Sequence, residues 1–279
     1  MSAKNIRCIA CSATEHQTLI SLPDGPTGEI QLKKCTSCRL QFLEPIPTEA
    51  EIAKYYGLPY FDAGYLRIFD QRLAQGRKQA RIVTVGRTPG HVLDIGCGAG
   101  FFLAAMQGLG WKISGIEPSP YAAKVAKERF DIDVSVGDIH GAEVREAQYD
   151  LITFMDVIGH LSEPEAAISA AIKKLNPDGV LAFQIPNFDS PWHRFNLWVS
   201  RKRTINRLHI PALLYRFSAE NLGLILKKHG FQVLGISGIN LRNNEPDWRF
   251  RMVRHVLEFS GTIVRSRQEV IVLAGRSSR

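Results

Sequence analysis

The chain contains no apolar run of about 18 residues, the length that a helix needs to cross a bilayer, so we predict no transmembrane span. Its first residues lack the apolar core of a secretory signal peptide, and we therefore expect a cytoplasmic protein. Cysteine is scarce, with five in 279 residues. Disulfides are rare in a reducing compartment, so metal binding or packing is the better interpretation of these thiols.

Acidic residues are scarce in the last third of the chain. Residues 187–279 contain 16 Lys and Arg but only six Asp and Glu, a balance of +10, whereas residues 1–186 contain 19 and 21, a balance of −2. Such a one-sided distribution favours an anionic acceptor, partner or surface. The simpler alternative is a set of solvated helix faces that only favour solubility.

A glycine-rich loop is the most informative feature that is present. A short apolar run ends at Asp94, three glycines alternate with other residues from Gly96 to Gly100, and helical character begins at Phe101. Glycine has no Cβ, so backbone N–H groups and a helix N-terminus can approach a ligand closely. Cys97, inside the loop, is better interpreted as a small packing residue than as a nucleophile.

Four successive predicted strands each end in an acid: Asp94, Glu117, Asp138 and Asp156. Glu117 lies 21 residues after Gly96, where a carboxylate can bind both hydroxyls of a ribose. Asp138 can accept a hydrogen bond from an exocyclic amine, and its neighbour Ile139 can pack on a base. The carboxyl ends of parallel strands form the ligand edge of an open α/β sheet, so these acids should meet there.

Over residues 90–187 the chain resembles the class I S-adenosylmethionine-dependent methyltransferases, whose loop has the same G-x-G-x-G pattern. Alternating strands and helices already favour an α/β, doubly wound, mostly parallel sheet. The resemblance implies a Rossmann-like sheet of seven strands, the last antiparallel, and S-adenosylmethionine as cofactor. The cofactor-binding residues that we expect are Asp94, Gly96, Cys97, Gly98, Gly100, Glu117, Asp138, Ile139 and Asp156. The alternative is a dinucleotide-binding or purely structural Rossmann-like domain.

Two CxxC pairs near the N-terminus have the spacing of a zinc ribbon. Cys8 and Cys11 form the first pair, and Cys35 and Cys38 form the second after 23 intervening residues. Four thiolates complete a tetrahedral shell, so we predict a structural Zn²⁺ that helps a small segment to fold. Unpaired cysteines in the core or at the surface are the alternative, and disulfides are a weaker one.

Composition and motifs divide the chain into three parts. We expect a zinc-ribbon module over residues 1–44, a linker and helical cap over 45–89, and a methyltransferase domain over 90–279, with residues 186–267 covering the acceptor. Ser119, Ser162 and Ser218 are predicted helix caps, residues 131–136 a strand, and residues 176–179 a turn.

Methyl transfer to a hydroxyl needs a base, and histidine suits neutral pH. His160 follows the fourth predicted strand and His209 lies in the acceptor region; either could also have a purely structural role. A basic set that alternates with aromatic residues between Arg194 and Arg216 could hold an anionic acceptor.

Three classes of function remain open. The motifs of the C-terminal region resemble methyltransferases of small molecules, sugars or lipid-linked glycans. An RNA methyltransferase is the second choice, because an N-terminal zinc module joined to this fold also resembles certain ribosomal RNA guanine methyltransferases, and the basic C-terminal third suits that class as well. A non-catalytic adapter that uses the ribbon for partner contacts is the third. Residues 247–259 form a basic amphipathic stretch that could contact an anionic membrane, although packing on the sheet is the better interpretation.

Overall fold

The structure of the protein is a computed structural model. It describes residues 6–25, 28–48, 51, 68–141, 149–188, 213–239 and 269–277. These residues form two sheets. The strands, numbered along the chain, are β1 (His16–Gly25), β2 (Gly28–Cys35), β3 (Gln41–Glu44), β4 (His91–Ile95), β5 (Lys112–Glu117), β6 (Ser135–Val136), β7 (Tyr149–Met155), β8 (Leu175–Pro186), β9 (Tyr215–Arg216), β10 (Phe231–Ile239) and β11 (Glu269–Arg276).

The larger sheet has seven strands in the order β10-β11-β8-β7-β4-β5-β6. Strands β4 to β8 pair in parallel, and β11 runs antiparallel to both of its neighbours. The predicted doubly wound, mostly parallel sheet with an antiparallel last strand is therefore confirmed. Its central strands are buried on both faces, as the continuous apolar runs around Leu93 and Ile152 indicate.

Five α-helices are described, and serine caps set the start of two of them. They are α1 (Phe69–Val83), α2 (Phe101–Gln107), α3 (Pro120–Phe130), α4 (Pro164–Lys174) and α5 (Ala219–Lys228). The Ser119 hydroxyl accepts a hydrogen bond from the N–H of Ala122, and Ser218 forms a reciprocal capping box with Asn221. None of the described helices is long and apolar enough to cross a membrane.

Three local expectations differ from the structure. Ser162 does not cap α4, because that helix begins at Pro164 and its N-cap residue, Glu163, makes no capping hydrogen bond through its side chain. The strand expected over residues 131–136 shortens to β6, since Asp131 has a left-handed φ of 56° that ends α3. Residues 176–179 lie within β8, where a shift in register accommodates them.

The smaller sheet combines three N-terminal strands with one short strand from residues 215–216. It has the order β1-β2-β3-β9 and is antiparallel throughout. Its fourth strand, β9, comes from residues beyond the large sheet's β8, and pairs Tyr215 with Phe42. Side chains of this sheet and of the face of the large sheet covered by α4 and α5 belong to one buried cluster.

Candidate functional site

The glycine loop turns sharply between β4 and α2. Gly96, Gly98 and Gly100 have positive φ angles of 69°, 53° and 80°, a region that suits glycine. The N–H groups of Gly96 and Cys97 donate to the carbonyl of Ile116 at 2.8 and 3.0 Å, which fixes the loop to β5. A Cβ at Gly96 would lie 2.6 Å from Cγ2 of Val157, so the loop also needs glycine there for space.

Glu117 ends β5 against this loop and is 6% exposed. One carboxylate oxygen accepts from the N–H of Gly98 at 2.8 Å and the other from the N–H of Ser119 at 2.9 Å. Burial raises the pKa of the Glu117 carboxyl, and the two backbone donors oppose that shift. Each carboxylate oxygen has a second lone pair, so the bound backbone groups leave acceptor capacity for a ligand.

Asp94, at the end of the neighbouring strand, is fully enclosed. It is 2% exposed, and the hydroxyl of Thr153 donates to one of its oxygens at 2.6 Å. Burial raises the pKa of Asp94 to about 8; the Thr153 hydrogen bond opposes the shift, and the charge of Glu117 adds to it. Thr153 was not expected from the sequence, because a threonine in a β-branched run is typical of any strand.

The other two strand-end acids are exposed. One oxygen of Asp138 accepts from the N–H groups of His140 and Gly141 at 2.8 and 2.7 Å, and so closes a local turn. Ile139 beside it is buried. Asp156 has a left-handed φ of 63°, and its N–H donates to the carbonyl of Gln184 at 3.2 Å. A non-glycine residue in that region stores strain, which is common at functional sites.

His160 is partly buried in a short 3₁₀ turn, Ile158–His160, directly beyond β7. Its backbone N–H donates to the carbonyl of Val157 at 2.8 Å. The turn therefore brings this histidine to the same edge of the sheet as Asp156. His209, like the stretch 247–259 and most of the basic set, lies outside the residues that the structure describes.

A buried polar chain crosses the same edge and had no signal in the sequence. The amide of Gln79 on α1 donates to the side-chain oxygen of Gln184 at 2.6 Å, and the amide of Gln184 donates to a carboxylate oxygen of Glu269 at 2.6 Å. Gln184 is completely buried, and buried amides are costly unless they are hydrogen-bonded. Gln79 and Glu269 are 190 positions apart along the chain, so no local sequence pattern indicates that these residues meet.

The four predicted zinc ligands meet in the N-terminal part. The sulfur atoms of Cys8, Cys11, Cys35 and Cys38 all lie within 4.8 Å of one another. A tetrahedral ion with Zn–S bonds of about 2.3 Å requires sulfur atoms about 3.8 Å apart, so this donor set fits Zn²⁺.

The two CxxC turns have the same backbone geometry. In each turn the first cysteine's N–H donates to the carbonyl five residues on, at 2.8 Å, and its carbonyl accepts from the N–H four residues on. The residues that follow the pairs, Ser12 and Arg39, both have left-handed φ angles. Burial raises the pKa of the Cys8 and Cys38 thiols. For Cys35, hydrogen bonds from the backbone of Cys38 and Ser37 and from the side chains of Cys11 and Cys38 oppose burial and lower the pKa to about 7, so this thiol ionises most readily.

Comparisons with known proteins identify the family of the chain. A family model described as a methyltransferase domain matches residues 65–236. The mitochondrial ubiquinone biosynthesis O-methyltransferase of Schizosaccharomyces pombe is 30% identical in an alignment of 98 residues, and the match covers 32% of this chain and 35% of that protein. The chain thus spans about a third of the length of this curated relative.

Two solved structures share the fold across most of the chain. One is 1,6-didemethyltoxoflavin-N1-methyltransferase of Burkholderia thailandensis, with a TM-score of 0.57, 13% identity and coverage of 92% of this chain and 99% of that one. The other is magnesium protoporphyrin IX methyltransferase of Synechocystis, with a TM-score of 0.58, 18% identity and coverage of 82% and 99%. Both contain bound S-adenosylhomocysteine. At these identities the likeness establishes the fold alone.

Proposed function

Because the chain belongs to the family of methyltransferase domains, we propose that it transfers a methyl group from S-adenosylmethionine to a small-molecule acceptor. The observation that carries the proposal is Glu117, a buried carboxylate that two backbone N–H groups hold against the glycine loop at the ligand edge of the sheet. We assign the ribose hydroxyls of the cofactor to Glu117. The relatives named O-methyltransferases favour a hydroxyl as the methylated group.

The donor set suits this cofactor. S-adenosylmethionine carries an ammonium group and supplies a methyl group on a cationic sulfur, and carboxylates complement positive charge. We assign the amino-acid part to Asp156, to the loop residues Gly96, Cys97, Gly98 and Gly100, and to Asp94, whose raised pKa of about 8 the nearby ammonium charge would lower. We assign the adenine to Asp138 and Ile139. The hydrogen bond from Thr153 to Asp94 joins β7 to β4 close to the glycine loop. This contact helps to keep the loop in one geometry.

His160 is the base that we propose for a hydroxyl acceptor. His160 lies in the 3₁₀ turn beyond β7, four residues after Asp156, and it is partly buried. As the acceptor oxygen forms its bond to the methyl carbon and the carbon–sulfur bond breaks, the hydroxyl proton passes to the imidazole. The remaining task of the site is to align the acceptor and exclude water. His209 is a second proposed base.

An anionic acceptor is supported by Arg216. This member of the basic set is 3% exposed, and its guanidinium stacks at 5.3 Å over the ring of Phe188, two residues beyond β8. Burial lowers the pKa of Arg216 to about 10, which leaves it charged at neutral pH. A buried guanidinium close to the strand ends can bind a carboxylate or phosphate through two hydrogen bonds at once.

Two measurements test the function. Calorimetry of the purified protein should detect binding of S-adenosylmethionine and S-adenosylhomocysteine, and folded protein that binds neither would contradict the central proposal. Labelled cofactor can be incubated with the protein and with fractionated lipid, sugar-phosphate, phenolic and RNA pools. We expect the labelled methyl group to appear in a small molecule. Tight RNA binding that falls steeply with added salt, together with methyl transfer to RNA, would replace the small-molecule proposal by the RNA alternative.

A further inference from the structure

One short segment connects the four-cysteine module to the turn that carries His160. We call residues 213–218 the bridging segment and residues 6–44 the four-cysteine module. The backbone of Leu214 contacts both sides: its carbonyl accepts from the N–H of Leu43 in β3 at 2.9 Å, and its N–H donates to the carbonyl of Gly159 at 2.9 Å. A single residue thus ties the module's sheet to the 3₁₀ turn.

The contact with the turn is close enough to transmit displacement. A Cβ added at Gly159 would lie 2.6 Å from the carbonyl oxygen of Tyr215 and 2.8 Å from Cδ1 of Leu213. The hydroxyl of Tyr215 donates to the carbonyl of Ser162 at 3.5 Å, two residues beyond His160. Leu213, Leu214 and Tyr215 are all at least 95% buried, so the segment is packed and not loosely attached.

The module itself is anchored next to the metal ligands. Lys228 on α5 donates to the carbonyl of Ile9, inside the first CxxC turn, and pairs with Glu165 on α4 at 3.3 Å. Arg39, which follows the second CxxC turn, pairs with Glu220 on α5 at 3.6 Å. The exposed pairs are individually weak, but together with β9 they place both CxxC turns on the catalytic domain.

From these contacts we propose that the four-cysteine module positions the acceptor side of the site, holding the His160 turn through Leu214 and Tyr215. Leu214 and Tyr215 are positioning residues, because they act on the turn and not on the reacting atoms. The inference rests on the proposed function only for the role of His160. The glycine loop and Glu117 are fixed by β5 instead, so we expect metal removal to change the affinity for S-adenosylhomocysteine by less than about threefold.

Histidine-selective NMR of the full-length, zinc-loaded protein tests the proposal. The Cε1–H signal of His160 is assigned by its loss in His160→Gln, and that of His91 by its loss in His91→Gln. His91 is the internal reference, because its ring lies 2.9 Å from the Ser114 hydroxyl between β4 and β5. Zinc is then removed with a chelator, and separately the bridge is perturbed by Gly159→Ala or by the milder Tyr215→Phe. Gly235→Ala is the matched control, since no atom lies within 4 Å of its Cβ.

We expect zinc removal to move or broaden the His160 signal and to leave that of His91 in place. Gly159→Ala or Tyr215→Phe should move the His160 signal in the same way while the zinc content stays at one per chain. Gly235→Ala should leave the His160 signal in place. The proposal is overturned if His160 keeps its position in zinc-free protein or in both bridge variants. It is also overturned if zinc removal moves His91 equally, because the metal would then support the whole fold. Failure of the wild-type protein to bind S-adenosylhomocysteine would contradict the proposed function and leave this result intact.

Discussion

Asp94 is a buried acid whose protonation should be visible in the stability of the protein. Its pKa is raised by burial from 3.8 to about 8, so the folded state holds its proton more tightly than the unfolded state. The stability that Asp94 contributes is therefore complete below its ordinary pKa of 3.8, decreases as the pH rises, and is fully lost once the pH has passed about 8. Asp94→Asn keeps the Thr153 hydrogen bond and removes the titration.

We predict that the free energy of unfolding of Asp94→Asn, relative to wild type, rises between pH 6 and 8 by up to about 1.4 kcal/mol per pH unit and then levels off. Urea titrations at four pH values from 6 to 9 measure it. Asp133→Asn is the control, because the Asp133 side chain is 86% exposed and its ion pair with Lys127, at 2.9 Å, lies at the surface. A difference between Asp94→Asn and wild type that does not change with pH would contradict the prediction.

Glu117→Ala should weaken binding of both S-adenosylmethionine and S-adenosylhomocysteine by at least about tenfold. The substitution removes a charged acceptor and leaves the N–H groups of Gly98 and Ser119 without their partner, and hydrogen bonds to charged groups are worth about 1.5–3 kcal/mol. Calorimetric titration gives both affinities. Glu128→Ala, an acid on α3 that is 59% exposed, should bind like wild type. Unchanged affinities in Glu117→Ala would remove Glu117 from the ribose site.

At the scale of the element, a comparison of Gly86 and Gly96 distinguishes the cost of backbone strain from the cost of close packing. Gly96 and Gly86 share a φ of 69°, but only at Gly96 would a Cβ meet another atom, Cγ2 of Val157 at 2.6 Å. Gly86→Ala should cost about 1–2 kcal/mol from the left-handed backbone alone. Gly96→Ala should cost about 1–3 kcal/mol more through overpacking and should also abolish cofactor binding. Equal losses of stability in denaturant titrations would show that the loop tolerates the extra atom.

The two CxxC turns allow a prediction of the zinc content and the thermal stability of the protein. Protein purified without chelators should contain one zinc per chain, because four sulfur atoms lie within 4.8 Å of one another. Cys35→Ser should lose the metal and lower Tm by about 5–10 °C, as expected for a loss of a few kcal/mol in a chain of this size. Cys97→Ala is the control, because the Cys97 sulfur, in the glycine loop, packs beside Gly115 of β5; the zinc content should stay at one per chain. Elemental analysis that finds no zinc in the wild-type protein would exclude the site.

The sequence predicts those elements whose signal is local. The glycine loop, each strand with the acid at its end, and each CxxC pair lie within a short window of sequence, so a local pattern marks them. Strand β9 has two residues and pairs with β3 more than 170 positions earlier, so no periodicity marks it. The chain Gln79–Gln184–Glu269 is likewise formed only when the sheet brings distant residues together. The Ser162 prediction was wrong for a local reason: the helix α4 begins at Pro164, so Glu163 and not Ser162 is its N-cap residue.

For the whole molecule, the shared core makes the four-cysteine module part of one folding unit. Leu32 and Leu43 of the module and Phe154, Phe183 and Leu222 of the large domain belong to the same buried cluster, and β9 completes the module's sheet. A separate small domain would unfold on its own, whereas a shared core couples both parts. We predict a single calorimetric transition in the zinc-loaded protein, with coincident curves for helical circular dichroism and for zinc release followed by a chelating dye. Zinc release that precedes the loss of helix by 10 °C or more would mean that the module unfolds alone, and β9 would then be a surface contact.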